Sequence, residues 1–310
     1  MKNGNIIDWL VSGDNTIKYL TDKYLLGQQV DQDNTGYIQQ YFDLFDENTN
    51  EWGGGIYSPL WISSHYTLLE LKYMEATYNH PFYQRGANKL LDGLWFNRGK
   101  VSTRRFQDMC MSAMLLSIIC YGRFRDERIH EIVDYILAHQ MEDGGWNCAW
   151  DSTTNKSKRG SFHTTICVLE AFAEYEQCGY TYRLNEIKDE VKKGQEYLLS
   201  RKLLYSISKK KIADPDFAKF HYPTRYKYDC FRALEYFVDI NYPYDERMNE
   251  TLERVVAQLQ NGAIRKGEKY SGKTHFKLET TKYSRFNTFR ALKILKLYNP
   301  MVFCETTDTY

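Results

Sequence analysis

Five stretches of the chain, 64–71, 108–114, 164–171, 229–236 and 287–294, are apolar around nearly a full helical turn, and each opens on a polar residue: Ser64, Asp108, Thr164, Asp229 and Asn287. These openings stand 44, 56, 65 and 58 positions apart, an irregular repeat of roughly 55 residues. Between them runs a second set, 83–96, 126–140, 185–204 and 245–260, with 14–26 as an N-terminal addition, in which apolar positions form one stripe and charges the other. Asp14, Asp126 and Asp245 stand where helix N-caps are expected. No sustained period-two alternation appears, and only six prolines interrupt 310 residues, so the pattern predicts helices throughout. The first set (Ile166, Val168, Leu169, Phe172) has too little polar surface to meet water, whereas the second (Glu186, Lys188, Asp189, Lys192, Lys193) has a solvated face. Repeated hairpins of one buried and one wet helix predict an all-α fold and a single domain over 1–310. They close most simply as an α/α toroid, a double ring of five to six hairpins with the apolar helices inside, and an open solenoid is the competing arrangement.

Composition narrows the partners. The 41 Lys and Arg against 40 Asp and Glu leave a net charge of +1, without the basic surplus of a nucleic-acid binder, so no nucleic-acid partner is expected. With 43% hydrophobic and 26% charged residues the chain can bury a full core, which excludes disorder. No apolar run approaches the roughly 20 residues of a transmembrane helix. Met1-Lys2-Asn3-Gly4 lacks the apolar core of a secretory signal, and the seven scattered cysteines, mostly within apolar helical patterns (Cys110, Cys120, Cys167, Cys178), read as reduced thiols. A cytoplasmic location is therefore expected. The 26 Tyr, 16 Phe and 6 Trp point to a ring-lined cavity and a small-molecule ligand. Nothing in the chain speaks to a particular cofactor or oligomeric state.

One local motif carries a family likeness. Gln140-x3-Gly144-x-Trp146 resembles the QW repeat of squalene cyclases and protein prenyltransferase β-subunits. Trp52-Gly53-Gly54-Gly55 looks like a copy without its Gln, and Lys193-Gly194-x2-Tyr197-Leu198 like the opening half of another. The signature is physically sensible: a Gln at the end of an outer helix bonds free carbonyls, the glycines permit a left-handed exit, and the Trp packs back over the turn. The second half is similar to a group of bacterial prenyltransferase/squalene-cyclase-like proteins. The shared strings run through Gly144-Gly145-Trp146-Asn147-Cys148, Ser161-Phe162-His163-Thr164-Thr165, Asp214-Pro215-x-Phe217, Arg225-Tyr226-x-Tyr228-Asp229-x2-Arg232, His275-Phe276-x2-Glu279 and Ser284-Arg285-Phe286-Asn287. The resemblance implies an α/α toroid and, for an enzyme, terpene-cyclase or prenyltransferase-like chemistry.

In a toroid the parallel inner helices open their N-termini toward one end of the cavity, so Ser64, Asp108, Thr164, Asp229 and Asn287 are expected along its rim. The alternative is that all five simply cap helices. Asp108 and Asp229 are the carboxylates that could act there, and a helix N-terminus holds them ionised. Cys148 and His163 form a second catalytic candidate, thiolate and base, against the plainer reading of a buried thiol and a backbone-bonded imidazole. Arg105, Arg225 and Arg285, with Tyr228 and Asn287 beside them, suit an anionic head group. His275 and Glu279 supply an acid/base pair if their loop folds over the cavity. A single Asp stands where squalene cyclases place Asp-x-Asp-Asp, and no Asp-Asp-x-x-Asp is present to carry Mg²⁺. Asp229, Cys230 and His275 echo a prenyltransferase zinc triad at the wrong spacing, so no metal is expected.

The first functional expectation is a prenyltransferase/squalene-cyclase-like toroid that binds a hydrophobic ligand, an isoprenoid being the candidate, with an anionic head group in an aromatic-lined cavity. The alternatives are a carbohydrate-processing toroid of glycosidase or lyase type, which needs two carboxylates across the cavity, and a non-catalytic toroid that binds a peptide or protein.

Overall fold

The computed structural model describes residues 5–95, 100–102, 105–151, 156–208, 210–259, 262–267 and 270–308, with backbone alone for 100–102, 105, 106 and 151. The fold is all-α. Among the described residues thirteen α-helices follow one another: α1 Ile6–Val11, α2 Asn15–Leu20, α3 Tyr37–Phe42, α4 Ser64–Tyr73, α5 Pro81–Leu94, α6 Met109–Tyr121, α7 Arg128–Leu137, α8 Phe162–Gln177, α9 Leu184–Leu199, α10 Cys230–Asp239, α11 Asn249–Gln258, α12 Arg285–Tyr298 and α13 Pro300–Thr307. A π-helical turn, Thr21–Leu25, extends α2. Two short antiparallel ribbons, Lys100–Ser102 with Arg105–Phe106 and Tyr205–Ser206 with Lys211–Ile212, are the only strands described. No helix among the described residues is long and apolar enough to cross a membrane.

The five apolar stretches are α4, α6, α8, α10 and α12. Every residue of α6 from Met111 to Cys120 is buried, as a helix packed on all sides must be. The amphipathic set appears as α5, α7, α9 and α11; α5 starts two residues before its pattern and the other three are shorter than theirs, with positions 96 and 260 outside the described residues. In α7 the buried positions are Ile129, Ile132, Val133, Tyr135 and Ile136, one helical face. Asp14 caps α2 through Thr16 N at 2.9 Å, and Asp126 and Asp245 accept from Arg128 N and Arg247 N. The short helices α1, α3 and α13 have no counterpart in the pattern, because six to eight residues are too few to establish a period.

Helix contacts follow the repeat. α4 packs on α6, α6 on α8, α8 on α10 and α10 on α12, and α4, α6, α8 and α10 each also pack on the amphipathic helix that follows. α12 then meets α2 and its π turn, while α3 bridges α2 and α4.

The loops that enter α8, α4 and α12 are built alike. Trp146 is fully buried, its indole N–H donates to Ile136 O of α7 (2.9 Å), and its backbone N–H donates to Thr165 Oγ1 of α8 (3.0 Å). Trp52 repeats this with Tyr41 O (2.7 Å) and Ser64 Oγ (3.0 Å). Before α12, Ile264 N donates to Thr288 Oγ1 (2.9 Å), without an indole. Gln140 donates to Gly144 O (2.8 Å) and across to Glu190 O of α9 (2.9 Å), so it ties two successive amphipathic helices. Gly144 adopts φ +84°, and a Cβ there would meet Lys193 O at 2.6 Å, so this turn admits only glycine.

Candidate functional site

The first residues of the apolar helices do not all serve alike. Asp108 and Asp229 occupy the N-cap positions of α6 and α10, whereas α4, α8 and α12 are preceded by Ser63, Ser161 and Ser284, which leaves Ser64, Thr164 and Asn287 inside the first turn. Asp229 is fully buried and spends both carboxylate oxygens locally: Oδ1 accepts from Arg232 N (2.7 Å) and Oδ2 from His221 N (3.3 Å). His163 does not meet Cys148 as a base. Its Nδ1 accepts from Tyr228 N at 2.8 Å, which fixes the N–H on Nε2, and burial with Lys227 and Arg232 nearby lowers its pKa to about 4. The partner of Cys148 is Cys110, sulfur to sulfur 3.1 Å. Tyr228 is buried and donates to Leu203 O (2.6 Å). Arg285 lies away from these groups, over the Trp9 ring and donating to Trp9 O (3.0 Å). Arg105 lies in the first ribbon, and its side chain is outside the described residues.

Four of the expected ligand-binding residues do converge. Arg225, His275, Glu279 and Asn287 line a chamber of about 50 Å³, with Tyr41, Trp61 and Tyr270. The segment ahead of α12 straps across this end: Trp61 Nε1 donates to Ser271 O (2.9 Å), Lys273 N to Leu60 O (2.9 Å), and His275 Nε2 pairs with Thr67 Oγ1 (2.9 Å). Arg225 is ion-paired with Glu70, which also accepts from Tyr41 OH. Glu279 accepts from Ser284 Oγ and Phe286 N, both 3.0 Å, so it anchors the start of α12, and burial raises its pKa despite those bonds. His275 is lowered to about 4 by burial. His275 and Glu279 are thus each tied to the frame, and a chamber of this size holds a water or two rather than a ligand. Asp229, Cys230 and His275 form no shared site: Cys230 is fully buried in the first turn of α10, and His275 bonds Thr67. Among the described residues no group of three His, Cys, Asp or Glu side chains is placed to hold a metal ion.

The ligand-sized space lies elsewhere, along the apolar helices from Arg232 and Phe286 near the starts of α10 and α12 to Tyr73, Gln177 and Asp239 at the ends of α4, α8 and α10. A cavity of about 880 Å³ is walled by α4, α8, α10 and α12, by the end of α6 at Tyr121, and by α2 with its π turn. Its lining holds six carboxylates (Glu70, Glu75, Glu170, Glu174, Glu235, Asp239), six cations (Lys23, Lys72, Arg232, Arg290, Lys293, Lys296) and seven tyrosines. The charges pair between elements. Glu170 of α8 takes both Nε (2.7 Å) and Nη2 (2.6 Å) of Arg232 on α10, Glu235 of α10 takes Arg290 of α12 (2.7 Å), and Asp239 takes Lys293. Lys72 of α4 reaches Glu174 of α8 (2.9 Å), and Glu75 receives Lys23 and Tyr24 from the π turn. A bulged helical turn is a common means of aiming side chains into a site, and here it brings Lys23 and Tyr24 to the wall.

Two carboxylates in this wall are tuned in opposite directions. Burial opposes ionisation of Glu170, but Arg232, with Lys72 and the Tyr73 hydroxyl (2.9 Å), outweighs it and holds the carboxyl below its ordinary value. At Asp239 burial wins over Lys293, and the neighbouring Glu235 adds to it, pushing the pKa up to about 6 while 45% of the side chain still faces open space. The two carboxylates thus differ in how readily they take up a proton.

None of these wall carboxylates was among the sequence candidates, yet the repeat carried their signal. Glu70, Glu170, Glu235 and Lys293 each stand six positions after the opening residue of their stretch, and Arg232 and Arg290 three positions after. Each of those arginines bonds the carboxylate of the preceding stretch. A charge recurring in phase within apolar helices marks a shared polar interior. Compared with known proteins, the chain matches no family model, and no curated protein matches it significantly.

Proposed function

We propose that the chain is an α/α toroid of the squalene cyclase/prenyltransferase-like kind whose central cavity binds a polyhydroxylated ligand, a mono- or oligosaccharide, with Glu170 and Asp239 as base and acid. The toroid is supported by the succession of contacts from α4 through α12 back to α2 and by the equivalent Trp52 and Trp146 turns. The carbohydrate reading rests on one observation, the charge balance of the wall: six acids against six bases. A diphosphate or carboxylate head group is drawn by a cationic surplus, and an isoprenoid tail by a mainly apolar wall. A neutral ligand rich in hydroxyls instead finds alternating donors and acceptors with tyrosine rings to lie against. The volume suits it, since sites for molecules of this class run about 300–1,000 Å³.

The test is ligand-observed NMR of the purified chain with a panel of neutral and amino oligosaccharides alongside farnesyl diphosphate. Saccharide contact that is lost in Tyr73→Ala, while Asp239→Asn and Glu170→Gln keep binding but abolish turnover of the bound sugar, supports the proposal. Binding of farnesyl diphosphate with no response from any sugar returns the cavity to the isoprenoid reading.

A further inference from the structure

Helix α6 begins against a sulfur atom. Cys148, in the 3-10 turn Cys148–Asp151, sets its Sγ 3.1 Å from Cys110 Sγ, 3.3 Å from Cys110 N and 3.5 Å from Thr164 Oγ1. Cys110 N–H belongs to the first turn of a 13-residue helix, where the amide has no partner within the helix. Two hydrogen-bonding groups besides the neighbouring thiol therefore converge on one sulfur. The remaining cysteines are placed otherwise: Cys120, Cys167 and Cys230 are buried, Cys178 bonds the Glu174 carboxylate (3.1 Å), and Cys304 is exposed.

We propose that Cys148 and Cys110 form a hydroperoxide-responsive pair, with Cys148 as the attacking thiolate and Cys110 as the resolving thiol. In the first step Cys148 Sγ attacks one peroxide oxygen, the O–O bond breaks, and the other oxygen leaves as water or alcohol after taking up the thiol's proton. Cys148 is then a sulfenic acid. In the second step Cys110 Sγ attacks Cys148 Sγ, the S–O bond breaks, the oxygen departs as water with the Cys110 proton, and an S–S bond remains. Two thiols lose two electrons and one peroxide gains them.

The roles follow from the surroundings. The Cys110 thiol, outweighing burial and assisted by Thr164 and the Cys110 amide, draws the Cys148 thiol below its ordinary pKa, while Cys110 is raised well above its own. Cys110 and Cys148 are half-buried residues, unlike the fully enclosed Cys120, Cys167 and Cys230, and a hydroperoxide is small enough to reach such a site. The bridge would join the N-terminus of α6 to the turn that leads into α8. This pair lines neither cavity, so the inference stands apart from the proposed function.

The test treats the reduced full-length protein with hydrogen peroxide, alkylates it under denaturing conditions and maps the peptides. A Cys110–Cys148 link, with a mass loss of about 2 Da that dithiothreitol reverses, is expected. Cys110→Ser is expected to leave Cys148 as a sulfenic acid trapped by dimedone, and Cys148→Ser to leave Cys110 reduced. Exposed Cys304 serves as the internal standard for oxidant delivered. Survival of both thiols after Cys304 has been oxidised, or a link from Cys148 to any other cysteine, overturns the proposal.

Discussion

Trp146 leaves no room above α9. A Cβ at Gly194 would stand 2.8 Å from its Cζ3 and 3.0 Å from Leu169 Cδ2, and at Gly86 a Cβ would stand 2.5 Å from Cζ3 of Trp52. Gly194→Ala and Gly86→Ala are each expected to destabilise the fold by about 1–3 kcal/mol in urea unfolding, because the ring must leave its rotamer or α9 or α5 must move outward. Asp229 makes the complementary case. Asp229→Ala removes a buried cap and the acceptor of His221 N–H, and is expected to cost about 1–3 kcal/mol while saccharide affinity stays unchanged. Lost affinity at unchanged stability would restore Asp229 to a binding role. The Trp146 turn was legible in the chain because its parts lie within seven residues and act on one another. The part played by Asp229 was not, because an Asp before an apolar helix reads alike whether it faces a cavity or its own first turn.

Charge pairs join the apolar helices where their side chains would otherwise face an empty core. Arg232 is buried, and its guanidinium spans from α10 to Glu170 of α8. Arg232→Met leaves that carboxylate without its bidentate partner and is expected to cost about 3–5 kcal/mol, whereas Arg232→Met with Glu170→Leu is expected to recover much of the loss. A double variant as unstable as the single would mean that the arginine holds the helix by packing alone. On the outer face, Lys192 and Asp189 of α9 pair with 72% and 69% of their side chains exposed, and Lys192→Ala is expected to change stability by less than about 0.5 kcal/mol. The two sets of helices were legible as elements because periodicity is a local property. The cavity wall was written in the same stretches, but as a phase relation between segments about 55 residues apart, Glu170 with Arg232 and Glu235 with Arg290. A reading of first residues alone does not reach this phase relation.

At the scale of the whole molecule, buried histidines and the cavity acid pull stability in opposite directions with pH. His65, His163 and His275 are lowered by burial from 6.5 to about 3, 4 and 4. The unfolded chain therefore takes up these protons first as pH falls, and the stability they contribute is present above pH 6.5 and lost progressively toward pH 4. Asp239 has the other sign: raised from 3.8 to about 6, it binds its proton earlier in the folded chain, so folding gains as pH falls through 6 toward 4. Three groups against one give a net loss on acidification. Urea midpoints measured from pH 7.5 to 4.5 are expected to fall over this window. His163→Gln, which keeps an acceptor for Tyr228 N–H but cannot titrate, is expected to flatten the fall, and Asp239→Asn to steepen it. If Asp239→Asn left the slope untouched, its carboxyl would be an ordinary solvated acid, and the division of labour with Glu170 across the cavity would lose its physical basis.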